Sequence, residues 1–570
     1  MNLFRRTFTR QARKAASHEI SPEDVFLDSQ NISKLNLDQM EGQLERPLGK
    51  HIFYLSLMGV LFLFGAFAFR LFSMQIVDGA SYAEKADKNH LKSTPIFALR
   101  GTISDRTGKL LAWNTASTST ESTSTTEIPK RMYTETPGFS HILGYVSYPK
   151  KDSSGVFWQE EYIGKDGVEK QYQSLLQGVP GERVIAVNAH QEVESENITI
   201  DPTHGENITL TIDKDVQAKL YERIHTLAHD YGYVSGAGVI MNVQTGEILA
   251  MASYPEYDNN LMTNAKTKED NAIIAEELLD KRRAFLNRVV SGLFTPGSTV
   301  KPFMALAALM EGVITPEKQI LSTGALVIKN KYGGPDTVFK DWKAHGWTDM
   351  RKALAESSDE YFYQVGGGYL DQKGLGIDKI NSYSNMFGFA TTTGIDMPGE
   401  VYGNVPSQAW KKKVFGEDWV LGNTYHTAIG QYGFQITPLE LARGVAAIAN
   451  GGTLVTPHVL LGLPTTSTKL DIPLKDLQVV REGMRQGVTE GIGGALNIPG
   501  VAVASKSGTA ELGVKKDLVN SWISGFFPYD NPKYVFVVIM EKGSVLNTHG
   551  AIFAARETIE WMRDTTEYTK

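Results

Sequence analysis

Thr295 to Met310 reads TPGSTVKPFMALAALM, and the interpretation of the rest of the chain turns on it. Pro296-Gly297 is turn chemistry, and Phe303 to Met310 is an apolar run of good helix formers. At its head stands an S-x-x-K tetrad, Ser298-Thr299-Val300-Lys301. A spacing of three along a helix puts Ser298 and Lys301 on one face, hydroxyl beside amine. A helix start is electropositive, and burial works in the same direction: both disfavour an ammonium, so a neutral amine there could take the serine proton. In isolation the tetrad reads more readily as an N-cap serine followed by a solvated lysine. Chance supplies about two such matches in a chain of this composition, so the tetrad alone decides nothing.

Two further elements change its weight. Ser357-Ser358-Asp359 lies 59 residues on from Ser298, ahead of the aromatic run Tyr361-Phe362-Tyr363. By itself it reads as a helix cap. Lys506-Ser507-Gly508-Thr509 follows after a further 149 residues, and Val501 to Ala504 before it reads as a strand. In a flat strand Lys506 and Gly508 would face away from Ser507 and Thr509, and a glycine there permits close approach of another backbone. A first serine with its lysine, a second serine and a distal lysine in this order form the signature of serine acyl-transfer enzymes that β-lactams acylate. The combination is far more specific than any of its parts.

Around these motifs the chain is patterned as α+β. Asn207 to Ile212 alternates as a strand, and Asp213 opens a helical stretch through Ile224. Gly236 to Ser253 reads as a hairpin turning at Gln244-Thr245-Gly246. Ser521 to Phe527 and Tyr534 to Met540 read as paired strands, and Ala554 to Met562 as a terminal helix. Upstream, Ile52 to Phe69 is an 18-residue stretch without a charge, and Leu71, Phe72 and Met74 extend its apolar character. That length suits a bilayer span, with Arg70 placed to snorkel to the interface. Arg5, Arg6, Arg10, Arg13 and Lys14 precede it, so the tail is expected in the cytoplasm and the bulk of the chain outside. Residues 1–50 read as a largely disordered tail. Asn114 to Glu127, NTASTSTESTSTTE, reads as an exposed low-complexity loop. With 570 residues and no cysteine, disulfides and thiol chemistry are excluded. A net charge of -7 leaves no footprint for nucleic acid. Asp341 and His345 lie close in sequence, but such a pair is more often structural than metal-binding.

The chain resembles the class B penicillin-binding proteins, most closely the elongation type called penicillin-binding protein 2. Arg288 to Phe303 is similar to the family's nucleophile region, and Asp341 to Val365 to the region of its second motif. Gly403 to Phe415 and Ala428 to Ala442 are similar to the segments that follow. Arg100 to Ala112, His141 to Val146 and Ile163 to Tyr172 resemble its non-catalytic pedestal. The second motif carries Asp359 where many relatives have Asn, as elongation-type members commonly do, and Tyr432 stands in GQYG where GQG is usual. Between Ala112 and Arg131 the family's head subdomain is reduced to the Ser/Thr run.

The resemblance implies a penicillin-binding transpeptidase fold, an antiparallel sheet sandwiched by helices, over residues 213–570. It implies a β-rich pedestal over 75–212, a membrane helix over 51–74 and a cytoplasmic tail over 1–50. It implies a D-Ala-D-Ala transpeptidase of the bacterial inner membrane that cross-links peptidoglycan stem peptides and is acylated by β-lactams, without metal or cofactor. Ser298, Lys301, Ser357, Asp359 and Lys506 would be catalytic, and Ser507, Gly508 and Thr509 would bind substrate. Its implied partners are a glycosyltransferase of the shape, elongation, division and sporulation (SEDS) family and other elongation-complex proteins. A division-specific transpeptidase is the runner-up. A β-lactamase would lack the pedestal and span, and a β-lactam sensor would carry several spans and an H-E-x-x-H motif.

Overall fold

The charge-free stretch forms α1 (Lys50–Phe72), prolonged by one π turn over Ser73–Val77. His51–Val77 counts 27 residues, none buried against protein, which at 1.5 Å per residue exceeds a hydrocarbon core of about 30 Å. Its large side chains, Phe62 and Phe69 among them, are exposed all round. The computed structural model describes residues 50–115, 128–153, 156–187, 193–513 and 515–570. The basic block, the expected tail and most of the Ser/Thr run lie outside these residues. The span belongs to a compact unit ending at Leu91, and Lys92–Lys570 form a second unit.

In the second unit a small sheet is built from β1 (Ile103–Ser104), β2 (Leu110–Thr115), β3 (Lys130–Tyr133) and β4 (Ile208–Thr209), in the order β4-β1-β2-β3. β2 and β3 pair directly, Ala112 opposite Tyr133 and Thr115 opposite Lys130. Beneath them Glu169 is fully buried between two buried arginines, at 2.5 Å from Arg100 Nε and 2.7 Å from Arg131 Nε. The strand expected over 207–212 is only partly β4: beyond Thr209 the backbone bonds both ways, Leu210 N–H to Ser104 O at 2.8 Å and Thr211 N–H to Val459 O at 2.8 Å, before Asp213 caps α2 (Lys214–Tyr231).

The principal sheet is antiparallel and five-stranded. Its strands are β5 (Ser235–Asn242), β6 (Ile248–Tyr254), β7 (Ala504–Leu512), β8 (Leu518–Phe527) and β9 (Tyr534–Ser544), in the order β6-β5-β9-β8-β7. Period-two alternation feeds two cores. From β9, Val535, Val537 and Ile539 join one, and Phe536, Val538 and Met540 the other. The second core is closed by α2 through Leu220 and Ile224 and by the C-terminal helix through Ala554 and Ile559. The first holds the helices that carry the motifs: α3 (Lys301–Met310), α4 (Asp359–Gly367), α5 (Pro438–Ala449) and α6 (Leu474–Thr489). The C-terminal helix is α7 (Ala551–Thr565). The strand expected over 501–504 begins only at Ala504 and runs through Leu512, so the Lys506 motif lies within a strand and not after one. β7 is an edge of the sheet.

Candidate active site

Gly297–Val300 forms one 3-10 turn ahead of α3, and in that geometry residues three apart eclipse. Ser298 and Lys301 therefore share a side of the chain. Neither is the solvated cap the isolated tetrad allowed. No side-chain cap bond is made at either helix start, Lys301 is 0% exposed and Ser298 is half-buried.

Glycines seat the turn. Gly297 has φ 55° and donates its N–H to Gly430 O at 3.0 Å. A β-carbon on Gly508 would lie 2.7 Å from Thr299 Cγ2 and 2.9 Å from Pro296 O. Only glycine lets the β7 backbone approach the Ser298 turn this closely. Trp522 of β8 adds an indole N–H bond to Thr295 O at 3.0 Å.

The second motif divides its labour. Ser358 caps α4, accepting from Tyr361 N, and donates to Asp341 Oδ2 at 2.9 Å. That carboxylate also accepts from Glu360 N at 2.8 Å. Ser357, one residue before the cap, is held at φ 57°, a left-handed conformation rare for a residue with a β-carbon. This leaves its hydroxyl free of capping and aimed at two lysines. Lys301 Nζ lies 3.3 Å from Ser357 Oγ, 2.8 Å from Ser357 O and 2.6 Å from Asp359 Oδ1. Lys506 Nζ reaches the same hydroxyl at 2.7 Å and Ser507 O at 2.8 Å. Lys506 is buried, and burial first, then the neighbouring Lys301 charge, hold it well below the usual lysine range, against a smaller opposing pull from Asp359. Lys301 pairs with Asp359, whereas Lys506 has no carboxylate in contact.

Ser298, Ser357, Asp359, Ser507, Gly508 and Thr509 open on one cleft of about 1030 Å³. Along β7, Thr509 and Glu511 are exposed while Lys506, Gly508 and Ala510 are buried, so the expected alternation holds. Trp342, Tyr363, His426 and Tyr432 line the same cleft and were not singled out from sequence as site residues. Phe339 and Tyr363 pack against the His426 ring, with centroids 5.4 and 6.4 Å away. Burial, then the Lys516 charge, lower the pKa of His426. Their convergence on the cleft is set by tertiary packing of the 341–365 stretch against the 426–432 stretch. Asp341 and His345 serve the scaffold: His345 Nδ1 lies 2.6 Å from Glu356 Oε2. Among the described residues no group of three or more His, Asp or Glu is arranged to hold a metal ion.

The penicillin binding protein transpeptidase domain family matches residues 236–558. The chain belongs to this family. The penicillin-binding protein dimerisation domain matches residues 119–210. Peptidoglycan D,D-transpeptidase MrdA of Haemophilus influenzae is 29% identical, the alignment covering 90% of this chain and 91% of that protein. The structure of penicillin-binding protein PBP2 with MreC from Helicobacter pylori superposes with a TM-score of 0.69 at 26% identity, over 83% of this chain and 99% of that one. A chain from a peptidoglycan synthase complex, solved for its coordination of polymerisation and crosslinking, gives 0.68 at 27% identity, over 89% and 97%.

Proposed function

We propose that this chain is a peptidoglycan D,D-transpeptidase of the elongation type in which Ser298 is acylated. One observation carries the site assignment: two lysines, Lys301 and Lys506, meet at a single hydroxyl, Ser357 Oγ, beside the cleft onto which Ser298 opens. At rest Asp359 compensates an ammonium at Lys301, while Lys506, desolvated and without a carboxylate, favours the neutral amine. A substrate carboxylate arriving at Lys506 and Thr509 favours the charged form of Lys506. The proton then passes from Lys301 through Ser357 Oγ to Lys506, and Lys301 is left as the free base. Ser298 Oγ loses its proton to Lys301 and bonds to the carbonyl carbon between the two terminal D-alanines. The C–N bond breaks, and the terminal D-alanine leaves with a proton returned through Ser357. The amine of a second stem peptide attacks the ester, re-forms an amide and restores the serine. Backbone N–H groups of Ser298 and Thr509 stabilise the oxyanion, a contribution of about 3–4 kcal/mol per donor.

The domain division we assign is a pedestal over 75–212 and a transpeptidase domain over 213–570, supported by β4 ending the small sheet just before α2 begins. The chain spans the inner membrane once, N-terminus inside, on the strength of its basic tail. Its partners are a SEDS-family polymerase, as the family resemblance implies, and elongation-complex proteins; relatives solved with MreC and in a peptidoglycan synthase complex support assembly of this kind. Ser298→Ala should abolish covalent labelling by fluorescent penicillin while leaving the melting temperature in place. Persistent labelling of a folded Ser298→Ala protein rules out Ser298.

A further inference from the structure

Among the described residues that line the cleft, His426 is the one imidazole, and the acylation steps make no use of it. It lies on the helix Leu421–Ala428, and its place is fixed from two sides. Its carbonyl accepts from Gln431 N at 2.9 Å, while Gly430 O, just before, accepts from Gly297 N at 3.0 Å, one residue ahead of Ser298. Its ring packs on Phe339 and on Tyr363 of α4, the helix that Asp359 opens. His426 thus stands between the turn that carries Ser298 and the helix start that carries Ser357 and Asp359. The charges of Lys516 and Asp359 both reach it. Neither ring nitrogen has a hydrogen-bond partner among the described residues, and neither is sealed from the cleft. Burial and the Lys516 charge outweigh the pull of Asp359 and favour the neutral ring. A neutral imidazole keeps one nitrogen as an acceptor, and here that acceptor is open to whatever N–H enters the cleft.

The second half of the reaction supplies such an N–H. When an amine bonds to the ester carbonyl carbon, its nitrogen becomes an ammonium within the tetrahedral intermediate. That intermediate can expel either the amine or the serine oxygen, and the amine leaves more readily. It therefore reverts unless the nitrogen first loses a proton. Lys301, Lys506 and Ser357 have the opposite task at this stage, which is to deliver a proton to the departing Ser298 Oγ. A second group beside the nitrogen, neutral and free to accept, keeps the two transfers apart.

We propose that His426 is a further catalytic residue, the base that accepts the proton of the attacking amine. The nitrogen forms its bond to the carbonyl carbon and gives an N–H proton to the imidazole. The bond from that carbon to Ser298 Oγ then breaks, and the serine oxygen takes a proton through Ser357. His426 passes its own proton to solvent. The proposal rests on Ser298 being the acylated residue.

The test uses full-length protein in lipid nanodiscs. An N-benzoyl-D-alanyl thioester acylates Ser298 with loss of the thiol, and intact-mass spectrometry follows that step. Then meso-diaminopimelate or D-lysine is added as the amine, and formation of the amide product is timed. The quantity compared is the aminolysis rate divided by the acylation rate, since no amine takes part in the thioester step. In His426→Asn and in His426→Ala this ratio should fall about 10²-fold, the low end for a lost proton-transfer group. Imidazole added to the alanine variant should raise its aminolysis rate at least about fivefold, as a replacement base does. Pyrazole, of the same shape but scarcely basic, should not raise it. A fall of less than about tenfold in both variants is too small for a lost base and would overturn the proposal. So would recovery by both azoles alike, recovery by neither, or no amide product from the wild type with either amine. Parallel slowing of acylation and aminolysis keeps the ratio in place, makes His426 structural and overturns it too. Failure of both the thioester and benzylpenicillin to acylate the wild type at Ser298 would instead sink the assignment of the nucleophile.

Discussion

Ser357 holds a left-handed backbone at φ 57°, which costs a residue with a β-carbon roughly 1–3 kcal/mol. The return is a hydroxyl that two lysines share and a carbonyl turned to Lys301. Two substitutions separate these contributions. Ser357→Ala removes the hydroxyl and keeps the strain, whereas Ser357→Gly removes both. Acylation by penicillin in stopped flow should fall about 10²–10⁴-fold in each, the range for a lost proton-transfer group. The glycine variant should be the more stable of the two by about 1 kcal/mol in denaturant titration. Equal acylation by the wild type and the alanine variant would remove Ser357 from the proton path.

At the scale of elements, the start of α4 is held from outside. Asp341 accepts from both Ser358 Oγ and Glu360 N, so it aligns the turn that carries Ser357 and Asp359. Asp341→Ala should cost about 2–3 kcal/mol for two hydrogen bonds to a buried carboxylate and slow acylation as well, because the left-handed turn loses its anchor. Stability loss without any change in acylation would make Asp341 a cap alone. The small sheet offers the contrasting case. Glu169 lies buried between Arg100 and Arg131. Removing the carboxylate in Glu169→Ala leaves two uncompensated guanidiniums and should destabilise by about 3–5 kcal/mol. Calorimetry should register that loss. The penicillin acylation rate of the protein that remains folded should stay at the wild-type value, since the triad touches no cleft residue.

For the whole molecule, pH acts through a carboxyl far from the cleft chemistry. Glu440 at the head of α5 accepts backbone N–H bonds from Ala390, Gly403 and Thr437, tying three segments together. Burial pushes its pKa up to about 7 despite those bonds, from an ordinary 4.5. The native state therefore holds a proton that the unfolded chain has released between about pH 4.5 and 7. Over that window stability falls as pH rises: Glu440 imposes no penalty below about 4.5 and a penalty of roughly 3 kcal/mol above 7. The melting temperature of the wild type, measured against Glu440→Gln, should decline between pH 5 and 7.5. A gap between the two proteins that does not vary with pH would contradict this.

Periodicity and local chemistry were sufficient for much of the fold. The hairpin of β5 and β6, the α2 helix with its Asp213 cap, the β8–β9 pair and the apolar span are all written in short-range pattern. The motif residues became legible only as an ordered set, since each motif alone reads as a cap or chance match. What local pattern misplaced were ends set by tertiary contact. β7 runs through the Lys506 motif because its partner β8 pairs with it as far as Leu512. Past β4 the chain shares its backbone bonds between Ser104 and Val459, the latter far away in sequence, so the strand has no single partner there. Three decisions belonged to the tertiary structure alone. One is which lysine is desolvated without a carboxylate. Another is that Ser358, not Ser357, caps α4. The last is that Trp342, His426 and Lys516 share a cleft with Ser298. Each depends on what lies across space from a side chain, and burial, charge proximity and cavity shape are properties of pairs of distant segments that no single stretch of sequence contains.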